Sequence, residues 1–227
     1  MYIDPYYIIL VIPAMIFAAW AQMKVKSTFH KYSNVKMDSG LTGAAAARAI
    51  LDRNGLTNVQ IEHVAGNLSD HYDPRTNVVR LSDSVYNSNS VAAVGVAAHE
   101  CGHAVQHAEG YFPIKIRTAI IPITQIGSNL AMPLVILGLF MGLEMLVNIG
   151  IILFASVALF QLVTLPVEFN ASSRAVATLS QSGMVDNFEE NGVKKVLTAA
   201  ALTYVAALFV ALANLLRLIA LANRRRD

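Results

Sequence analysis

The chain has 227 residues, 55% of them hydrophobic and only 14% charged, with a formal net charge of +2 and a mean hydropathy of +0.50. Soluble domains carry a charged fraction nearer a quarter, so the composition excludes an ordinary soluble protein and predicts membrane segments. No nucleic-acid partner is expected, and the single cysteine, Cys101, excludes an intrachain disulfide and suits a reducing compartment.

Residues 6–23 form an apolar run, interrupted by Pro13, that is just long enough to span a bilayer. Asp4 precedes it and Lys24, Lys26, Lys31 and Lys36 follow, so residues 1–23 read as an uncleaved anchor with the N-terminus outside rather than as a secretory signal. Residues 24–118 form the soluble part. Thr42 to Asn54 predicts an alanine-rich helix closed by Gly55. Val59 to Glu62 and Asn77 to Ser82 predict short strands, divided by the turn formers Gly66, Asn67, Asp73 and Pro74. Ser88-Asn89-Ser90 supplies N-cap candidates for a proline-free run, Val91 through Ala108, that Gly110 closes; a helix over about 90–109 is expected.

That helix contains His99-Glu100-Cys101-Gly102-His103, an HExxH motif. Side chains four apart share a helix face, so His99 and His103 can offer two imidazole nitrogens to one tetrahedral metal ion. Glu100 projects beside them, where it can take a proton from an attacking water without being a ligand, the arrangement of zinc-dependent peptide hydrolases. The bland alternative is a pair of histidines that only satisfy internal hydrogen bonds. His107 continues the same face, but its backbone lies ~12 Å along the axis from His99, too far to share an ion, and it reads as a supporting or surface group. Cys101 points off that face and reads as a small packing residue.

Two apolar runs, about 119–141 and 146–166, are separated by a few residues that include Glu144 and Asn148, and predict a transmembrane hairpin over 119–166. A hairpin returns the chain to the side it left, so the HExxH helix and the residues after 166 share one membrane face. Thr164 as a cap, Pro166 in the first turn and Gly183 as a stop predict a helix over about 165–182, within a segment 167–195. Glu168 in that helix is the best candidate for a third metal ligand, although a dipole-favoured glutamate at a helix start fits the residue type equally well. Asp186 with Glu189 forms a capping pattern ahead of a short polar helix, and residues 196–227 hold a last hydrophobic helix and the basic tail Arg224-Arg225-Arg226. Four spans put that tail opposite the HExxH face, although both it and the lysines after residue 23 favour the cytoplasm. The larger basic count, Lys24 through Lys195, places the HExxH face in the cytoplasm; a last segment lying along the interface would remove the conflict.

Taken together, Asp70-His71-Tyr72-Asp73-Pro74-Arg75, Val79-Arg80-Leu81-Ser82, HECGHAVQ at 99–106 and LPVEFNAS at 165–172 resemble the bacterial membrane zinc metallopeptidases of the YugP type over nearly the whole chain, and more distantly the HtpX-type peptidases. The resemblance implies a membrane α-helical protein with a small α+β zincin-like (gluzincin-type) catalytic domain and about four transmembrane helices. It also implies one Zn2+ per chain and endopeptidase action on a peptide or membrane-protein substrate. In HtpX-type relatives the glutamate of an E-x-x-A-D pattern is the third zinc ligand. Glu168 and Ala171 match that pattern, whereas Ser172 stands where the aspartate would be, so the group that orients the site does not carry over.

On this reading His99, His103 and Glu168 hold the metal and Glu100 is catalytic. His71, Tyr72 and Arg174 are candidate oxyanion or substrate contacts, each equally readable as a turn or surface group. The strand Val78 to Leu81 reads either as an edge that pairs with substrate or as a core strand. Two alternatives remain: a non-enzymatic zinc-binding membrane scaffold or regulatory subunit, and an intramembrane metalloprotease. Against the latter stand the polar flanks Asn87-Ser88-Asn89-Ser90 and Gln106-His107-Ala108-Glu109 and the lack of a Leu-Asp-Gly motif.

Overall fold

Apolar runs too long for a soluble core become long helices in the computed structural model, which describes residues 4–223. The basic tail Arg224-Arg225-Arg226, part of the orientation argument, lies outside the described residues. The order is α1 (Ile12–Ser33, continuing a π-helical stretch Tyr7–Val11), α2 (Gly43–Arg53), β1 (Gln60–Val64), β2 (His71–Asp73), β3 (Val78–Ser82), α3 (Val91–Ala108), α4 (Phe112–Met141), α5 (Glu144–Gln181) and α6 (Asn187–Asn223). Among the described residues, four helices are long and apolar enough to cross a membrane: Tyr7–Ser33, α4, α5 and α6. The chain divides into two compact units, to both of which α1, α5 and α6 contribute.

One unit comprises Met23–Tyr111 and Val167–Ala201. Thr42 caps α2 by accepting from the Ala45 N–H at 3.3 Å, and the small residues Ala46 and Ala47 with Ile50 and Leu51 give α2 a flat apolar face. That face joins Val79 and Leu81 of β3, the alanine-rich stripe of α3, Ala175 and Leu179 of α5, and Val193, Val196 and Leu197 of α6 in one core. The sheet runs β1-β3-β2, with β1 parallel to β3 (Gln60 opposite Val78) and β2 antiparallel to it (Tyr72 opposite Val79). β3 is therefore the central strand, and Val78, Val79, Leu81 and Ser82 are buried. This corrects the edge reading of Val78–Leu81: both sides of that strand are already paired, and the edge near α3 is β2. The capping pattern before α6 is present, with the Glu189 N–H donating to Asp186 Oδ1 at 2.7 Å and the Asp186 N–H to Glu189 Oε2 at 2.9 Å. The other Glu189 oxygen accepts from the Asp38 N–H at 2.8 Å, which explains why this glutamate is buried.

The other unit comprises Met1–Gln22, Phe112–Pro166 and Leu202–Asp227. α4 and α5 form the expected hairpin, turning at Gly142 with a φ of +72° that favours glycine. Their backbones approach closely: a Cβ at Gly127 would lie 2.5 Å from the Leu153 carbonyl oxygen, and one at Gly150 2.8 Å from that of Ala131. Small residues at such crossings let helices pack in lipid, where water supplies no driving force. α6 meets the N-terminal helix through Val11, Ala14 and Ala213, and Arg217 donates to Asp4 Oδ2 at 2.7 and 2.9 Å.

The helix predicted to begin near Thr164 does not begin there. α5 runs unbroken from Glu144 to Gln181 through Pro166, and Thr164 caps nothing; its buried hydroxyl has no hydrogen-bond partner among the described residues. Proline removes one amide donor but does not stop a long helix that is held by its neighbours. The polar segment after Asp186 likewise continues without a break into the last apolar run as α6.

Candidate metal centre

α3 begins where Ser90 accepts from the Ala93 N–H at 3.2 Å, and its alanines and glycines bury the helix nearly all round. The spacing of the motif then puts His99 and His103 on one face, with ring centroids 4.7 Å apart. Gly102 lies between them and α5. A Cβ there would sit 2.7 Å from the Ala171 carbonyl oxygen, so only glycine allows this approach of the two helices.

The approach brings Glu168 to the histidines. Its Oε2 lies 3.2 Å from His99 Nε2 and 3.5 Å from His103 Nε2, and one donor atom of each residue falls within 4.8 Å of the others. Glu168 is buried and both imidazoles are mostly covered. Burial opposes charge on His103, but the hydrogen bond to Glu168 and the charge of Glu100 outweigh it and raise its pKa above the ordinary imidazole value. Two imidazoles and one carboxylate fit the protein share of a tetrahedral zinc site with one position left open.

Glu100 is not part of that triplet. It points to the sheet, where its Oε2 accepts from the Tyr72 N–H of β2 at 3.1 Å. Tyr72 thus reaches the site through its backbone, while its hydroxyl donates to Asn77 Oδ1 at 2.8 Å and its ring contacts that of His107. Its neighbour His71 is turned to the Ser69 carbonyl at 2.8 Å. Arg174 bonds Asn170 at 2.7 Å and pairs with Glu109 at 2.7 Å. The structure thus gives these three candidate oxyanion contacts partners of their own. Cys101 lies on the opposite side, its Sγ 3.6 Å from the Ala47 carbonyl, and burial followed by the Glu100 charge pushes its thiol pKa up. It is a core residue.

Two supporting residues escaped the sequence reading. Ser172 Oγ lies 3.1 Å from His99 Nδ1, so the serine standing where an aspartate was expected does contact a histidine of the motif. Gln106 Oε1 lies 3.0 Å from His103 Nδ1. The signal for Gln106 was its place three residues after His103, on the same helical face.

A family described as "Putative neutral zinc metallopeptidase" matches residues 7–223. The chain belongs to this family. A Bacillus subtilis (strain 168) protein described as "Putative membrane protease YugP" is 52% identical over 221 residues, covering 97% of this chain and 98% of that protein. No solved structure matches. The family's metal and the donor set of His99, His103 and Glu168 agree in kind, and the four apolar helices agree with the relative's membrane description.

Proposed function

We propose that the chain is a multi-pass, membrane-bound zinc-dependent endopeptidase with a zincin-like, gluzincin-type site, in which His99, His103 and Glu168 hold one Zn2+ and Glu100 is the general base. The observation that carries this reading is the convergence of three donors from two helices beside a second, separate carboxylate that faces a sheet edge. A zinc ion held there would supply Lewis acidity, polarising a peptide carbonyl and making water nucleophilic near neutral pH. Glu100 accepts the proton of the attacking water and delivers it to the leaving nitrogen. The bond from the Tyr72 N–H keeps that carboxylate beside β2, and an extended peptide adding to the β2 edge would place its backbone next to Glu100. Peptides or membrane proteins are the substrate class this edge suits, and the lysine count favours a site at the cytoplasmic face. α3 is not among the helices both long and apolar enough to cross a membrane, which favours a site outside the bilayer core over an intramembrane one.

Glu100→Gln is expected to retain one zinc per chain while turnover on unfolded protein substrates falls by about 100-fold or more. Glu168→Ala and His103→Ala are expected to lose the zinc itself. Metal analysis with a peptide-cleavage assay in detergent checks all three. Parental activity in Glu100→Gln would overturn the assignment, and zinc without turnover in the parent would favour a scaffold.

A further inference from the structure

Metal binding by His103 through Nε2 requires its proton to sit on Nδ1, and the surrounding hydrogen bonds determine where that proton goes. Gln106 is fully buried; its Nε2 donates to the Val167 carbonyl at 2.8 Å and to Asn170 Oδ1 at 2.9 Å, and its Oε1 faces His103 Nδ1 at 3.0 Å. Asn170 Oδ1 also accepts from Arg174 Nε at 2.7 Å. A guanidinium can only donate and a backbone carbonyl can only accept. The Asn170 atom facing Arg174 is therefore its oxygen. The Gln106 atom facing that oxygen and the Val167 carbonyl must then be nitrogen, which leaves the Gln106 oxygen against His103. Since that oxygen only accepts, neutral His103 carries its proton on Nδ1, and the Nε2 lone pair is left on the side of Glu168.

We propose that Gln106 is a positioning residue that locks His103 in its metal-binding tautomer, with the direction of the hydrogen bonds set jointly by the Val167 carbonyl and by the Arg174 cation through Asn170. The proposal rests on the zinc reading above. It assigns Arg174 a part quite different from an oxyanion contact, since its guanidinium is held between Asn170 and Glu109. The two histidines are treated unequally: the Ser172 hydroxyl beside His99 can donate or accept and so imposes no tautomer. Gln106 also bonds the carbonyl of Val167, the residue before Glu168, and so ties together the positions of two ligands on different helices.

The test is the zinc affinity of the full chain in detergent, by chelator competition, together with histidine 15N shifts of the zinc-loaded protein. Gln106→Met is expected to bind zinc about 10- to 100-fold more weakly. Arg174→Met touches neither His103 nor Glu168, yet is expected to weaken zinc in the same direction and to shift the His103 Nδ1 resonance. Glu109→Gln leaves the Arg174 bond to Asn170 in place and is expected to stay within about twofold of the parent. Parental zinc affinity in a folded Gln106→Met would overturn the proposal. So would equal behaviour of Arg174→Met and Glu109→Gln, a comparison that decides the matter even if Gln106→Met does not fold. A parent chain that binds no zinc would instead overturn the metal-site reading itself, and this proposal with it.

Discussion

At the scale of single residues, the site depends as much on what is missing as on what is present. The HExxH spacing supplies two imidazoles on one face, but the third donor arrives only because position 102 has no side chain. Gly102→Ala would set a methyl 2.7 Å from the Ala171 carbonyl and push α5, with Glu168 and Ser172, away from α3. We expect a stability loss of about 1–3 kcal/mol and a zinc content well below one per chain, read by thermal melting and metal analysis. A melt and zinc content equal to the parent's would show that α5 accommodates the methyl. Cys101 and Gly102 are neighbours in sequence with unrelated tasks, since one packs on α2 and the other admits α5.

At the scale of elements, β2 is the part of the candidate site that could not be foreseen. Asp73 and Pro74 read as turn formers, and the three residues His71–Asp73 are too few to show an alternating pattern. They form a strand because β3 offers them its free side and Glu100 takes the Tyr72 N–H. Asp73 shapes the turn that follows. First the Arg75 backbone N–H, then Thr76 and the Arg75 and Arg80 side chains, outweigh burial and hold its carboxyl well below the usual carboxylate range. A native carboxyl pKa below its unfolded value contributes stability that is fully present above the unfolded pKa and is lost as pH falls through the native one. Asp73→Asn should therefore flatten the loss of stability below about pH 4, with little change in that slope near neutral pH, as measured by melting temperature against pH. An acid limb as steep as the parent's would assign that loss to other carboxylates. Within α5, the unpartnered and buried Thr164 hydroxyl predicts the opposite sign of effect. Thr164→Val should be neutral or stabilise by about 1 kcal/mol, and a destabilised variant would reveal a partner for that hydroxyl.

At the scale of the molecule, the apolar unit is joined by small-residue crossings and by an ion pair between the start of its first helix and its last helix. Arg217 donates twice to Asp4 and lies 4.9 Å over the Tyr7 ring, and both partners of the pair are largely covered. Arg217→Met leaves the Asp4 charge without its partner and should cost up to about 3 kcal/mol, seen as a lower melting temperature in detergent. The double variant with Asp4→Asn should recover part of that loss. If the two substitutions simply add, the pair contributes nothing of its own.

Periodic features within one element were legible in the letters, because helix geometry turns spacing into position. The cap at Ser90, the shared face of His99 and His103, the Asp186–Glu189 capping pattern and the apolar spans are all of this kind. Glu168 was legible only as a candidate: residue type alone left it equal to a helix-start glutamate, and only packing of α5 on α3 brings it to the imidazoles. Pro166 marked a helix start by local rule, and the long α5 overrode it. The sheet order, the Tyr72–Glu100 bond and the Arg174–Asn170–Gln106 chain depend on residues far apart in sequence meeting at hydrogen-bond distance. No local preference encodes such meetings; they are set when apolar faces close on one another and each buried polar group must find a partner.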